Sequence, residues 1–210
     1  MVTDPIAVYD TCRRLFLETT LLKPRCKYAG VVFDKVSAWS VGQHLEHVLS
    51  VNARGVVLLT SDPRELNLGS VPPITPAGLR ILETGLIPRG GGKAPDAVCP
   101  KLTNHVDLEE DVERGISLVD NLGFVYRDIA ADTALFPHPM LGGLTKAQWV
   151  RFLEIHVQHH HKIIHDIIAR NHPGAHALAA DGTLTMVTPI RQGSTNPPEV
   201  LPLPDEPPAQ

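Results

Sequence analysis

Leu144–Arg170 reads LTKAQWVRFLEIHVQHHHKIIHDIIAR. It contains no Pro or Gly, and Trp149, Phe152, Leu153, Ile163, Ile164 and Ile167 recur at helical spacing. With Trp149 at zero and about 100° per residue, Phe152, Leu153, Ile163 and Ile167 share one stripe. His156 and His160 fall on its midline, and His159 falls at its edge. His161 and His165 point well away, toward water or a subunit partner. Thr145 is the N-cap candidate, whereas Lys146 is unfavourable in a first turn.

Two imidazoles one turn apart share a helix face, and an i, i+4 pair of histidines offers two nitrogen ligands to one metal ion. On a core-facing stripe both rings are buried, where polar groups need partners. The plainer alternative is a pair of core histidines bonded to other side chains, or a solvated cluster. The central position of both rings on the apolar face favours the metal.

Composition sets the bounds. The 210 residues are enough for one domain with a good core. Hydrophobic content of 43% and charged content of 20% are those of a soluble globular protein. A net charge of −4, no basic run and only 5% aromatic residues argue against nucleic-acid binding. Cys12, Cys26 and Cys99 form no CxxC, so neither a disulfide framework nor a zinc knuckle is indicated. The first residues, MVTDPIAVYD, carry neither a basic region nor an apolar one, and no apolar run is long enough for a bilayer. A reduced, cytoplasmic setting is expected, without membrane attachment.

Taken in order, Asp4-Pro5 starts a helix that runs to about Leu22, and Lys23-Pro24 ends it. A connector, Arg25–Ala38, follows, in which Val31-Val32-Phe33 packs on the core. Ser40 and Gln43 form a capping box for a second helix, Val41–Thr60, which carries His44 and His47. Gly55 within it suggests close packing on a neighbour. Thr75-Pro76 opens a short helix to about Glu83. The run Ile87-Pro88-Arg89-Gly90-Gly91-Gly92-Lys93 lacks the spacing of a phosphate loop and reads as a flexible loop. Arg89 within it is a candidate for a substrate carboxylate, set against a solvated charge, the favoured reading. Asp107 and Glu110 start a third long helix that ends near Ala131, and a loop of about a dozen residues, DTALFPHPMLGG, leads to the last. Residues 172–210 are rich in Pro, Ala and Thr, and only Thr183–Ile190 (TLTMVTPI) suits an extended strand.

Four long helical patterns without a convincing strand ladder give an all-α fold, an up-down four-helix bundle over residues 1–171 with long connectors and a Pro-rich tail over 172–210. A bundle core is where facing helices build metal sites. The third ligand then comes from the second helix, from His44 or His47. Helical phase favours His44, about 60° from the centre of the apolar stripe against about 120° for His47. Val51 and Leu58 share the side of His47, however, so the apolar arc is wide. Three imidazole ligands leave a fourth position open, the arrangement of catalytic sites.

Two motifs carry a resemblance. W-S-x-x-Q-x-L-x-H, from Trp39, and H-P-x-L-G-x-L-T-x-x-x-W-x-x-x-x-x-x-H-x-x-H-H, from His138, are similar to those of the DinB-like (YfiT-like) superfamily of four-helix-bundle metal proteins. They come closest to a bacterial subgroup without an assigned activity. The agreement covers about Trp39 to Ile168. Leu141 replaces a usual Phe, and Ile163 stands where a Gln is common. The resemblance implies His47, His156 and His160 as the ligands of a divalent ion (zinc, nickel or iron), because the superfamily's ligand comes eight residues after the Trp. It implies a small-molecule substrate, with a low-molecular-weight thiol as cosubstrate in several members: transfer or isomerisation on a small electrophile, or hydrolysis. His138 is the candidate acid–base residue, set against a loop-capping role before Pro139. The alternative is a non-catalytic, stress-related metal protein that dimerises. In that case a fourth protein ligand, His159 or Glu46, closes the site. Homodimerisation is left open in both readings.

The tail has neither apolar periodicity nor helix-forming composition. Truncation after about Asp181 is expected to leave helix content and metal binding unchanged, measured by circular dichroism and elemental analysis. Loss of soluble folded protein would show instead that TLTMVTPI packs as an arm.

Overall fold

The long helices begin mostly where the sequence supplies a cap. The computed structural model describes residues 3–62, 66, 69–90, 92–101 and 107–171. Asp4 accepts the Ile6 amide and Pro5 opens α1 (Pro5–Thr20), two residues shorter than expected and followed by a 3-10 turn over Lys23–Tyr28. Ser40 and Gln43 exchange both bonds of the capping box at the start of α2 (Val41–Thr60). The Val41 and Gly42 amides donate to the carbonyls of Val31 and Ala29, so the connector satisfies this helix end. Thr75 caps α3 (Pro76–Thr84), and Gly85 ends it in the left-handed region at φ 67°.

The third long helix is corrected. It divides into α4 (Leu108–Asp120), a 3-10 turn over Asn121–Gly123, and α5 (Tyr126–Ala131). Asp120, Asn121 and Gly123 are poor helix formers in close succession, which is where the break falls. Asp107 makes no side-chain cap.

The following loop is corrected too: it holds a small two-stranded hairpin in a mostly helical structure. β1 (Phe136–His138) pairs antiparallel with β2 (Gly142–Leu144), Phe136 opposite Leu144. Glycine is required here. Gly142 sits at φ 80°, and a Cβ on it would lie 2.2 Å from the Pro73 carbonyl oxygen. The Gly143 amide donates to the Pro72 carbonyl at 2.8 Å, locking the hairpin to the segment before α3.

The last helix, α6 (Lys146–Asn171), starts on a capping box that the sequence reading missed. The Gln148 amide donates to Thr145 Oγ1 at 3.3 Å, and the Thr145 amide to Gln148 Oε1 at 2.9 Å. Lys146 is buried rather than adverse. Its Nζ donates to the Ser61 carbonyl at 2.8 Å and pairs with Asp132 at 3.3 Å, which ties the end of α2 to the start of α6.

α6 packs against both α1 and α2, and α4 packs against the same two helices. Leu15, Leu45, Val112, Leu153 and Ile164 are fully buried between them. On the α1 side, buried Glu154 accepts Arg14 Nε at 2.6 Å and Arg151 Nη1 at 2.7 Å. On the α2 side Gly55 lies against α6, where a Cβ would meet Leu153 Cδ1 at 2.7 Å. The expected close packing at Gly55 is therefore present. No helix among the described residues is long and apolar enough to cross a membrane. The tail, with Thr183–Ile190, lies outside the described residues.

The contact between Gly55 and Leu153 sets the spacing of α2 and α6. Gly55→Val is expected to destabilise the fold by about 1–3 kcal/mol through overpacking. Leu153→Ala destabilises it by about 2–5 kcal/mol through a cavity. Because each change relieves the other, the double variant should lose less than the sum of the two, read from urea midpoints.

Candidate metal centre

Capped at Ser40, α2 turns its first two turns toward α6, and both of its histidines are buried. α6 brings His156 and His160 to the same place. One ring nitrogen from each of His47, His156 and His160 lies within 4.8 Å of the others. The Nε2 atoms of His47 and His156 are 3.2 Å apart. Two nitrogens on a tetrahedral zinc, with bonds of about 2.0–2.1 Å, stand roughly 3.3 Å apart, so this pair has the spacing of a shared ion.

The proton positions support the same use. His47 Nδ1 lies 2.7 Å from the Val98 carbonyl, which only accepts, so Nδ1 carries the hydrogen and Nε2 is a bare lone pair. Burial pushes the pKa of His47 below the usual 6.5, and those of His156 and His160 well below it. Neighbouring imidazoles add to the depression at His156 and His160. All three rings are thus neutral at pH 7 and could act as ligands, and the donor set fits a divalent ion of the borderline class that imidazole suits. Among the described residues the group has three members, and neither His159 nor Glu46 joins it. Glu46 accepts the Lys101 amide through both carboxylate oxygens, at 3.1 and 3.0 Å, and His159 is hydrogen-bonded to the backbone of Ile87.

His44 lies beside the group. Its Nδ1 is 2.9 Å from His160 Nδ1 and its Nε2 is 2.9 Å from Ser37 Oγ. The Trp39 ring covers both α2 histidines, 5.3 Å from His44 and 5.1 Å from His47. His156 differs from the other two, because its Nδ1 is buried without a partner. Its ring stacks on Phe152 at 5.6 Å.

His138 stands one ring further out, 4.4 Å from Phe152 and 4.9 Å from Trp149. Its Nδ1 accepts the amides of Met140 and Leu141 at 3.2 and 3.1 Å, which holds the hairpin turn. Burial lowers its pKa to about 4. With Nδ1 taken up by two amides, its hydrogen bonds are those of a turn-capping residue. Arg89 pairs with Asp166 of α6 at 2.7 Å. His161, expected to face water or a subunit partner, instead faces α1: its Nε2 lies 2.7 Å from the Glu18 carbonyl. His165 is half exposed beside Asp166.

The site residues missed in the sequence are Ser37 and Val98. Both lie in irregular segments that no periodicity marks. The contact of His44 with His160 was foreshadowed by its helical phase.

A family model described as "Protein of unknown function (DUF1569)" matches residues 87–166, less than half of the chain. The matched stretch includes His138, His156 and His160 but not His47. No curated protein and no solved structure matches the chain.

Buried neutral histidines make stability depend on pH. Their folded pKa values lie below the unfolded value near 6.5, so the unfolded chain binds more protons as acid is added. The stability is fully present above pH 6.5 and is lost progressively as pH falls toward about 4, the value for His44, where burial dominates. His44 alone accounts for about 3 kcal/mol of the loss. Chelator-treated protein followed by urea unfolding from pH 7.5 to 4.5 should show this slope, and a flat profile above pH 5 would contradict it.

Proposed function

We propose that the chain binds one divalent metal ion through His47, His156 and His160 and acts on a small electrophilic substrate with it. The observation that carries this is the convergence of three neutral imidazole nitrogens from two facing helices. A divalent ion in such a site acidifies a water or a thiol and so yields a nucleophile at neutral pH. The residues of the chain do the rest. Val98 and His44 orient ligand rings, while Trp39 and Phe152 exclude water from two sides. Among the described residues no carboxylate joins the ligand group, which leaves the full charge of the ion available to polarise a ligand. The fold we read as a DinB-type four-helix bundle, supported by α1 and α2 each lying between α4 and α6. With it come a small thiol as cosubstrate and a cytoplasmic setting. The metal is zinc, nickel or iron. His138 serves to position the turn beside Phe152.

A second reading is favoured by one observation. The three rings are only 6–8% exposed, and two surface cavities, one over α1 and α3 and one beside Arg25 and Arg89, are not lined by them. On that reading the ion stabilises the fold and does no chemistry.

Elemental analysis of untagged protein should find about one metal per chain. Chelation should lower the melting temperature, because the ion binds only the folded state. At saturating metal, His47→Ala should lose most of the ion, whereas His44→Ala keeps it. A His44→Ala protein stripped of metal beside a fully loaded His47→Ala would overturn the ligand assignment. Titration of the cobalt-loaded protein with small thiols separates the two readings. A sulfur-to-cobalt charge-transfer band supports the enzyme, and an unchanged spectrum supports the structural ion.

A further inference from the structure

The three histidines of the proposed site differ in what holds the nitrogen that does not face the ion. His47 Nδ1 has the Val98 carbonyl at 2.7 Å, and His156 Nδ1 has no partner. His160 Nδ1 has another imidazole, that of His44, at 2.9 Å. His44 is 2% exposed, and its other nitrogen is 2.9 Å from Ser37 Oγ.

From this chain of contacts we propose that His44 is a positioning residue: it accepts the Nδ1 hydrogen of His160 and thereby fixes His160 in the tautomer whose Nε2 lone pair is free for the ion. The inference rests on the metal-site reading above.

Proton counting gives the direction. A neutral imidazole carries one hydrogen. His160 Nδ1 is occupied by its contact with His44, so Nε2 is the nitrogen left for coordination. If His44 donated from Nδ1, His160 Nδ1 would be bare and its hydrogen would sit on Nε2, blocking the ligand position. If His160 donates, its Nε2 is bare. His44 then holds its own hydrogen on Nε2 and donates it to Ser37 Oγ. That oxygen also accepts the Trp39 amide at 3.1 Å, so both of its lone pairs are used. Only this direction is compatible with coordination by His160 through Nε2, and Ser37, whose hydroxyl can accept as well as donate, accommodates it at the far end. Metal-ligating histidines commonly give their second N–H to a carbonyl or carboxylate, and loss of such a partner typically costs 10–100-fold in metal affinity. Here an imidazole with a serine behind it takes that place.

The contact through Nδ1 also selects the test variants. An Asn side chain places its carbonyl oxygen near the position of a histidine Nδ1, so His44→Asn keeps an acceptor for His160. His44→Phe keeps a ring and removes the acceptor. Zinc affinity is measured by competition with a chromophoric chelator, with folding checked by circular dichroism. His44→Phe should bind zinc 10–100-fold more weakly than the native protein, and His44→Asn should stay within about threefold. Long-range 1H–15N spectra of the zinc-loaded native protein need no variant. They should show His160 with its hydrogen on Nδ1 and His44 with its hydrogen on Nε2. A hydrogen on His44 Nδ1 overturns the assignment. So does a folded His44→Phe protein that binds zinc within threefold of native. Native protein that takes up no zinc, nickel or iron overturns the metal site itself and the assignment with it.

Discussion

The close approach of α2 and α6 at Gly55 and Leu153 is the constraint on which the rest depends. Helices meeting through side chains of ordinary size lie about 8–10 Å apart. The missing side chain at Gly55 lets Leu153 fill the gap from the other helix, with a would-be Cβ only 2.7 Å from its methyl carbon. His47 and His156 flank this contact in sequence, eight residues before Gly55 and three after Leu153. Their Nε2 atoms stand 3.2 Å apart. Lys146, buried on Ser61 and Asp132, fixes the same pair of helices at the other end. The helix pair is thus set at two points, and the histidines lie beyond the first of them, on the side away from Lys146.

Burying several imidazoles together is unfavourable unless each polar nitrogen is used. The structure meets this at His44 and His47 with partners from irregular segments, and leaves His156 Nδ1 without one. Ser37, in the connector before α2, serves His44, and Val98, in a 3-10 turn over Asp96–Val98, serves His47. Aromatic rings fill the remaining space: Trp39 over the α2 pair and Phe152 against His156. The neutral state that burial imposes is also the state a metal requires. The same desolvation that weakens the fold in acid prepares the lone pairs at neutral pH.

What was legible in the sequence follows from where each signal resides. Caps are local, so Asp4, Ser40 with Gln43, and Thr75 marked three helix starts within a residue or two. The i, i+4 histidines and the apolar stripe of α6 are periodic, and both point where the structure places them. The T-x-x-Q box at Thr145 was as local as the others but was obscured by Lys146, whose burial depends on Ser61 and Asp132 far away in the chain. The break between α4 and α5 needs the summed weakness of Asp120, Asn121 and Gly123, which no single residue announces. The hairpin depends on two glycines finding the backbone of Pro72 and Pro73, a contact without a sequence pattern. His161 faces away from the α6 stripe as its phase requires, but that direction holds α1 and the Glu18 carbonyl rather than water. Phase gives the direction of a side chain, and topology decides what lies there.

The irregular stretch between α3 and α4 belongs to the site as much as the helices do. Among its described residues it is held to α2 at Val98–His47 and Lys101–Glu46, and to α6 at Arg89–Asp166. The Val98 bond serves two ends at once. It fixes which nitrogen of His47 is bare, and it anchors the connector to the three-histidine group. A backbone carbonyl suits this double use because it is always an acceptor, whatever side chain stands at the position. Exchange of the Val98 side chain therefore leaves the ring orientation of His47 intact, whereas a shift of the turn's backbone would release the ring and the connector together. The net worth of one such hydrogen bond is only about 0.5–1.5 kcal/mol. Its consequence is larger than that figure, because the orientation of the His47 ring and the attachment of the connector to α2 depend on the same bond.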